Sequence, residues 1–275
     1  MIKISSMVGA PDLAERTLAP FQGNLDEAFA KHAALGYDGV ELMLRDPARL
    51  DGAAIRAGLA TNGLQLAGIC TGHLYQEDKM GLVDPDQEVC RRTMARMKAI
   101  ADFAGEFGPG TIVNIGRSRG KGDPRGRDVT LERMAAAFEE LADYAAPLGV
   151  RWVLEPVTSM LCANIHTSQD GLAMVRRVAR NNFGLMLDVF HMNVEDDDIY
   201  ASFREVGKLC WFVHLTDSNR HYPGSAHLDF ERIVSTLREI GYDGYVSLEI
   251  LPWPDGDTAA RESIRFLRRF IPKAG

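Results

Sequence analysis

The chain has 275 residues, long for a compact two-layer domain and ordinary for one α/β barrel of roughly 250 residues. Its 46% hydrophobic and 25% charged residues describe a globular protein, and its apolar stretches, only a handful of residues long, exclude a membrane span. A net charge of −7 weighs against a nucleic-acid-backbone binder, which ordinarily carries a basic footprint.

Met1 to Ser6 runs directly into a strand-like pattern, without the charged start, apolar middle and small-residue cleavage site of a secretory signal. Lys3–Val8 reads as the first strand and Leu25–Leu35 as the first helix. The alternation continues with strand Gly39–Leu44, helix Ala53–Thr61, strand Leu64–Cys70 and helix Glu88–Phe107. Next come strand Thr111–Ile115, helix Leu131–Leu148, strand Trp152–Glu155 and helix Gln169–Arg177. Strands Gly184–Asp188 and Trp211–Leu215, helix Phe230–Ile240 and strand Tyr245–Ile250 complete the series. Gly36, Gly63, Gly149 and Gly241 stand where left-handed helix caps are expected. Cys70, Cys90, Cys162 and Cys210 form no C-x-x-C pair, as expected of reduced thiols in a cytoplasmic protein.

Eight strand signals, each followed by a helical one, predict an α/β fold: a single-domain (β/α)8 TIM barrel over residues 1–275. An open doubly wound sheet is the competing fold. It is disfavoured because no G-x-G-x-x-G follows the first strand and the polar residues spread over several strand ends. The longest polar insertion is Arg117–Asp128. There Arg117, Arg119, Lys121, Arg125 and Arg127 face Asp123 and Asp128, a local excess of three positive charges. Such a run is ordinarily a solvated loop. Because it leaves the active face of the barrel, Arg119 is also a candidate contact for an anionic sugar acid or phosphate.

The last four strand signals each end on a metal-binding type: Glu155, Asp188, His214 and Glu249, separated by 33, 26 and 35 residues. Each separation is about one βα repeat, so these ends converge on one face. Each residue alone is an unremarkable polar strand end. Three carboxylates buried together would repel one another, and a divalent cation removes that cost. Three carboxylates and an imidazole suit one divalent metal ion, Mn²⁺ foremost, with Mg²⁺, Co²⁺ or Zn²⁺ also fitting. Glu155 and Glu249 suit the proton-transfer roles of an isomerisation or epimerisation through a metal-bound enediolate. His73, after the third strand, is expected to line the pocket. Glu41 is a buried partner or plain structural residue, His227 local structure, and His32 inert.

The segments Leu154-Glu155-Pro156, Leu187-Asp188-Val189-Phe190-His191-Met192-Asn193, Val213-His214-Leu215-Thr216-Asp217-Ser218-Asn219-Arg220 and Val246-Ser247-Leu248-Glu249 resemble the sugar phosphate isomerase/epimerase family. These are xylose-isomerase-like barrels that include ketose 3-epimerases, hydroxypyruvate isomerase and inositol-pathway enzymes. The resemblance implies that Glu155, Asp188, His214 and Glu249 are metal ligands, that Glu155 and Glu249 double as the acid/base pair, and that His191 and Arg220 bind substrate oxygens. Thr158-Ser159-Met160-Leu161 departs from the N-R-Y-E-like stretch of the ketose epimerases, with Leu161 in place of its second glutamate. That departure points away from an ordinary free ketohexose and leaves the metal ligands intact. A metal-dependent lyase or dehydratase on a keto-sugar or keto-inositol is the alternative enzyme. A DNA-repair endonuclease would want more histidine ligands and a basic groove, and a sugar-binding protein would have no use for four ligands. The expected protein is thus a cytoplasmic homo-oligomer acting on a small-molecule carbohydrate, with no nucleic-acid or membrane partner.

Overall fold

Short apolar runs alternating with amphipathic ones produce eight parallel strands. They are β1 (Lys3–Gly9), β2 (Gly39–Met43), β3 (Gln65–Cys70), β4 (Ile112–Ile115), β5 (Arg151–Leu154), β6 (Phe183–Asp188), β7 (Cys210–His214) and β8 (Tyr245–Leu248). Each pairs with its successor, and β8 returns to β1 with Ile4 opposite Val246 and Ser6 opposite Leu248, which closes the barrel. A two-residue strand, Phe21–Gln22, pairs with the end of β1 from outside. The computed structural model describes residues 1–15 and 17–273.

Among the described residues, ten α-helices accompany the strands. The connecting helices are α1 (Leu25–Leu35), α2 (Gly52–Thr61), α4 (Gln87–Gly105), α5 (Arg127–Ala145), α6 (Ser168–Val178), α9 (Phe230–Glu239) and α10 (Gly256–Leu267). Shorter ones are α3 (Gly72–Gln76), α7 (Val189–Glu195) and α8 (Ile199–Val206). Asn24, Asp51, Thr167 and Asp229 each accept from a backbone N–H of the first turn, which is why these helices start where they do. Gly36, Gly63, Gly149 and Gly241 have φ of +88°, +65°, +68° and +71°, the left-handed geometry expected of them. No helix among the described residues is long and apolar enough to cross a membrane.

Predicted and observed strand ends agree within two residues. Helices α3, α7, α8 and α10 join the six expected from the sequence. Helix α7 was hidden because it starts directly at the end of β6, within a mostly apolar stretch from Leu185 to Met192 that only Asp188 and His191 interrupt. Asp188 closes the strand and caps the helix, its Oδ1 accepting from the Phe190 N–H at 2.8 Å.

Side chains alternate across each strand, so the residue two before a strand-end group shares its side of the barrel. Val153, Met186 and Phe212 stand in that relation to Glu155, Asp188 and His214. With Ala67 they form a separate buried apolar cluster, a dry floor beneath the strand ends. The larger core lies between the outer face of the barrel and the helices.

The segment after β4 is tied to the one before α4. Leu82 and Val83 donate to the carbonyls of Ser118 and Arg119 at 3.0 Å each, and Gly122 donates to Val83 at 3.0 Å. Gly120 sits in this seam at φ +94° and ψ −174°, a region open only to glycine, and a Cβ there would lie 2.4 Å from the Val83 carbonyl oxygen. Gly120→Ala is therefore expected to cost about 2–4 kcal/mol, read as a shift in the urea midpoint at constant slope. An unchanged midpoint would mean that the seam yields freely.

Candidate metal centre and cavity

Glu155 follows β5, Asp188 ends β6, His214 ends β7 and Glu249 follows β8, all at the carboxyl ends of their strands. One ligand atom from each lies within 4.8 Å of the others, and all four residues are buried. His214 Nδ1 is 3.8 Å from Glu155 Oε1, 3.7 Å from Asp188 Oδ2 and 3.5 Å from Glu249 Oε2. These gaps are too long for good hydrogen bonds. They match ligands around one ion at metal–ligand distances of roughly 2.0–2.6 Å. Glu155 Oε1 and His214 Nδ1 are buried without a hydrogen-bond partner, and a cation between them would satisfy both. The donor set fits a divalent ion.

The surrounding residues orient these four. Glu41 on β2 reaches across the barrel to His214 Nε2 at 2.9 Å. That contact fixes the proton on Nε2 and turns the Nδ1 lone pair toward the carboxylates, the carboxylate–histidine arrangement that supports metal-ligating imidazoles. Asn114 on β4 donates to Glu155 Oε2 at 3.3 Å, while its own carbonyl accepts from the Thr71 N–H at 3.1 Å. Gly116 leaves room for the same carboxylate, since a Cβ there would stand 2.5 Å from Glu155 Oε2. With Asp188 Oδ1 capping α7, Oδ2 is left to the centre.

Arg220 closes one side. Its guanidinium donates to Asp188 Oδ2 at 2.6 Å and to Glu249 Oε2, and lies over the Phe190 ring at 4.6 Å. Its backbone is left-handed, φ +63°, an uncommon state for a residue with a side chain. Asp217 holds it there: its carbonyl accepts from the Arg220 N–H at 2.9 Å, and its carboxylate accepts from the N–H groups of Ser218, Gly224, Ala226 and Leu228.

Burial and then the charge of Glu249 push the Glu155 carboxyl up to about 8. Burial also acts to raise Asp188 and Glu249, but Arg220, supported by His214, outweighs it and holds both below the usual carboxylate range. Burial opposes charge on His214, whereas Glu41 and the neighbouring carboxylates raise it well above an ordinary imidazole. A site whose carboxylates push a buried imidazole toward its charged form is one that favours a cation.

The centre opens into a cavity of about 370 Å³, within the range of small-molecule sites. Glu155, Glu249, His191, Arg220 and His73 all line it. His191 Nε2 lies 3.9 Å from both Glu155 Oε1 and Asp188 Oδ2, and burial pulls its ring down to about 4, so it faces the cavity uncharged. His73 is held by Glu77, whose Oε1 is 2.8 Å from His73 Nδ1. Leu161 also lines the cavity, which places the departure from the epimerase-like stretch at the wall of the site.

Arg119 does not face the cavity, contrary to expectation. It is fully buried, and its guanidinium donates to the carbonyls of Gly116, Glu155, Asn164 and Ile165 at 2.8–3.1 Å. Those bonds use every N–H and leave none for a substrate. Arg119 instead clamps the β4 and β5 segments on either side of the centre. Arg117, two residues earlier in the same turn, lines the cavity with Gln76. Nothing in the sequence sets Arg117 apart from its neighbours, or marks Asn114, Gly116, Gln76 and the anchoring role of Asp217. Glu41 is a partner of His214, His227 bonds locally to Ser218 at 2.9 Å, and His32 is buried against Phe21 and Tyr37.

A model of the family described as xylose isomerase-like TIM barrel matches residues 29–270. The chain is 28% identical over 215 residues to a ketose 3-epimerase of Arthrobacter globiformis, covering 78% of this chain and 73% of that protein. It is 26% identical over 264 residues to an L-ribulose 3-epimerase of Methylomonas sp. (strain DH-1), covering 88% and 90%. A solved structure of an L-ribulose 3-epimerase superposes with a TM-score of 0.83 at 24% identity, covering 98% of this chain and 95% of that one, a likeness of fold.

Replacing Arg119 with methionine keeps the bulk and strips the guanidinium from four carbonyls, of which only Gly116 and Ile165 keep a backbone donor, from Arg119 and Val157. The expected loss is about 3–5 kcal/mol of folding stability, measured by chemical denaturation. A loss under about 1 kcal/mol would contradict the clamp.

Proposed function

The chain belongs to the xylose isomerase-like TIM barrel family, and from that premise we propose that it is a divalent-metal-dependent isomerase or epimerase of a sugar-like substrate. The observation that carries this reading is the convergence of Glu155, Asp188, His214 and Glu249 on one point at the floor of a cavity. The naming of its relatives as ketose and ribulose 3-epimerases supports a substrate with a carbonyl beside a carbinol carbon.

In this reading Glu155, Asp188, His214 and Glu249 hold the ion, with Glu41 keeping His214 in the ligating tautomer. When bound, the metal supplies Lewis acidity that stabilises negative charge on the oxygens of an enediolate. The chain's own groups move the protons. Glu155 and Glu249 come from different strands, β5 and β8, and both reach the cavity. One carboxylate takes the proton α to the carbonyl. The other returns a proton to the opposite face for epimerisation, or a single group carries it between neighbouring carbons for isomerisation. His191 and Arg220 are assigned to substrate oxygens, Arg220 while it fixes Asp188 and Glu249. His73, braced by Glu77, is assigned to the substrate at the wall.

Two measurements test the reading. Elemental analysis of purified Glu249→Gln and His214→Ala should show reduced metal occupancy, and Glu41→Gln should weaken metal affinity about 10–100-fold through the tautomer it no longer fixes. Full occupancy in both ligand variants would sink the centre. Turnover in D₂O should place deuterium at the carbon α to the carbonyl, and either glutamate changed to glutamine should slow turnover by at least roughly 10²–10⁴-fold. The double change should cost far less than the product of the singles. Product free of solvent deuterium would favour a hydride shift and remove the two glutamates from proton transfer.

A further inference from the structure

The polar segment Arg117–Asp128 carries five cations, and the structure commits four of them. Arg119 is bound to backbone carbonyls. Arg125 holds Asp123 at 2.8–2.9 Å, Arg127 holds Asp170 at 3.0 Å, and Lys121 lies 3.7 Å from Asp84. Arg117 pairs with no carboxylate among the described residues. Its Nε is buried without a hydrogen-bond partner, and its weak neighbour is the Gln76 carbonyl oxygen at 3.5 Å. That neutral acceptor is presented to it because Gln76 Nε2 donates to Glu15 at 2.7 Å, which fixes the amide. The guanidinium rests on the Tyr75 ring, 5.1 Å from its centre, so the arm is supported while its donors remain available. Arg117 lines the cavity together with Val157 and Leu161, apolar groups that bring no competing charge. The other guanidinium of the cavity, Arg220, is already paired with Asp188 and Glu249, so its charge is balanced within the site even where it also meets a substrate oxygen.

We propose that Arg117 anchors a carboxylate carried by the substrate, so that the cavity takes a sugar acid in preference to a neutral sugar. The inference rests on the reading of this cavity as a sugar site and names its substrate class. A guanidinium offers parallel N–H donors matched to the two oxygens of a carboxylate, and the apolar wall strengthens that pair by excluding water. A phosphate, with more charge and three oxygens, draws on several cations or a row of backbone N–H groups, and Arg117 stands without a second uncommitted cation in the cavity. With Arg117 holding the carboxylate at the wall, the other end of the substrate is left to Glu155 and Glu249.

Calorimetric titration of the Mn²⁺-loaded protein with D-gluconate and D-glucitol tests this. The two share a six-carbon polyol skeleton and neither carries an aldehyde or ketone, so turnover plays no part, and failure here leaves the isomerase reading to its own labelling experiment. The expected result is gluconate binding about 10–100-fold tighter than glucitol in the unaltered protein. Arg117→Gln should abolish that preference chiefly by weakening gluconate, and Arg117→Lys should restore part of it. Retained glucitol binding and an unchanged melting temperature show that the variants fold. Equal or undetectable binding of the two probes in the unaltered protein overturns the proposal. So does a preference that survives in Arg117→Gln, which would put the carboxylate on the metal. Tighter, Arg117-dependent binding of D-glucitol 6-phosphate than of gluconate would overturn the carboxylate in favour of phosphate.

Discussion

Mutual repulsion among Glu155, Asp188 and Glu249 is the constraint around which this barrel is organised. Three carboxylates brought within 4.8 Å of an imidazole, all largely buried, form an arrangement that the fold must offset from every side. Much of the neighbourhood is part of that offset. Arg220 sets a guanidinium against two of the three, Asn114 donates to the third, and the start of α7 takes one oxygen of Asp188. Glu41 adds a further negative charge, which is tolerated because it is spent on His214 and directs that ring. The dry cluster of Ala67, Val153, Met186 and Phe212 beneath keeps water out of the barrel, so none of this electrostatics is screened from below.

The strand ends were legible in the sequence because a parallel barrel imposes a strong rule. Each strand is a short apolar run, each is followed by a helix, and all the carboxyl ends meet. Once Glu155, Asp188, His214 and Glu249 were seen to occupy the same position in successive repeats, their convergence followed from topology without knowledge of any side-chain angle. His191 and Arg220 were implied by the family resemblance and His73 by its place after the third strand, and all three line the cavity.

Arg119 shows where that reasoning stops. Arg117 and Arg119 lie two apart in a single 3₁₀ turn, and the direction of each depends on how the turn packs against the Gly81–Val83 segment. Neither composition nor spacing carries that information, so the arginine that points inward could not be told from the one that points to the cavity. Asn114 and Gly116 were obscured differently. Each makes a close contact with Glu155 from another strand, and short polar or small residues at such places look ordinary until the neighbour is known. The departure at Leu161 was visible in the sequence, but only its place on the cavity wall connects it to ligand choice.

The bond between Glu41 and His214 joins residues 173 positions apart, from the second strand to the seventh. During synthesis on the ribosome, the first half of the chain emerges carrying Glu41 with the partner that justifies its burial still unmade. A half-barrel ending before β7 must either keep that carboxylate in water or neutralise it. Internalising it as an anion becomes favourable only when His214 arrives, and by then three of the four ligand strands are present. The same contact that sets the imidazole tautomer therefore discourages premature closure of the incomplete barrel, linking assembly of the centre to completion of the chain.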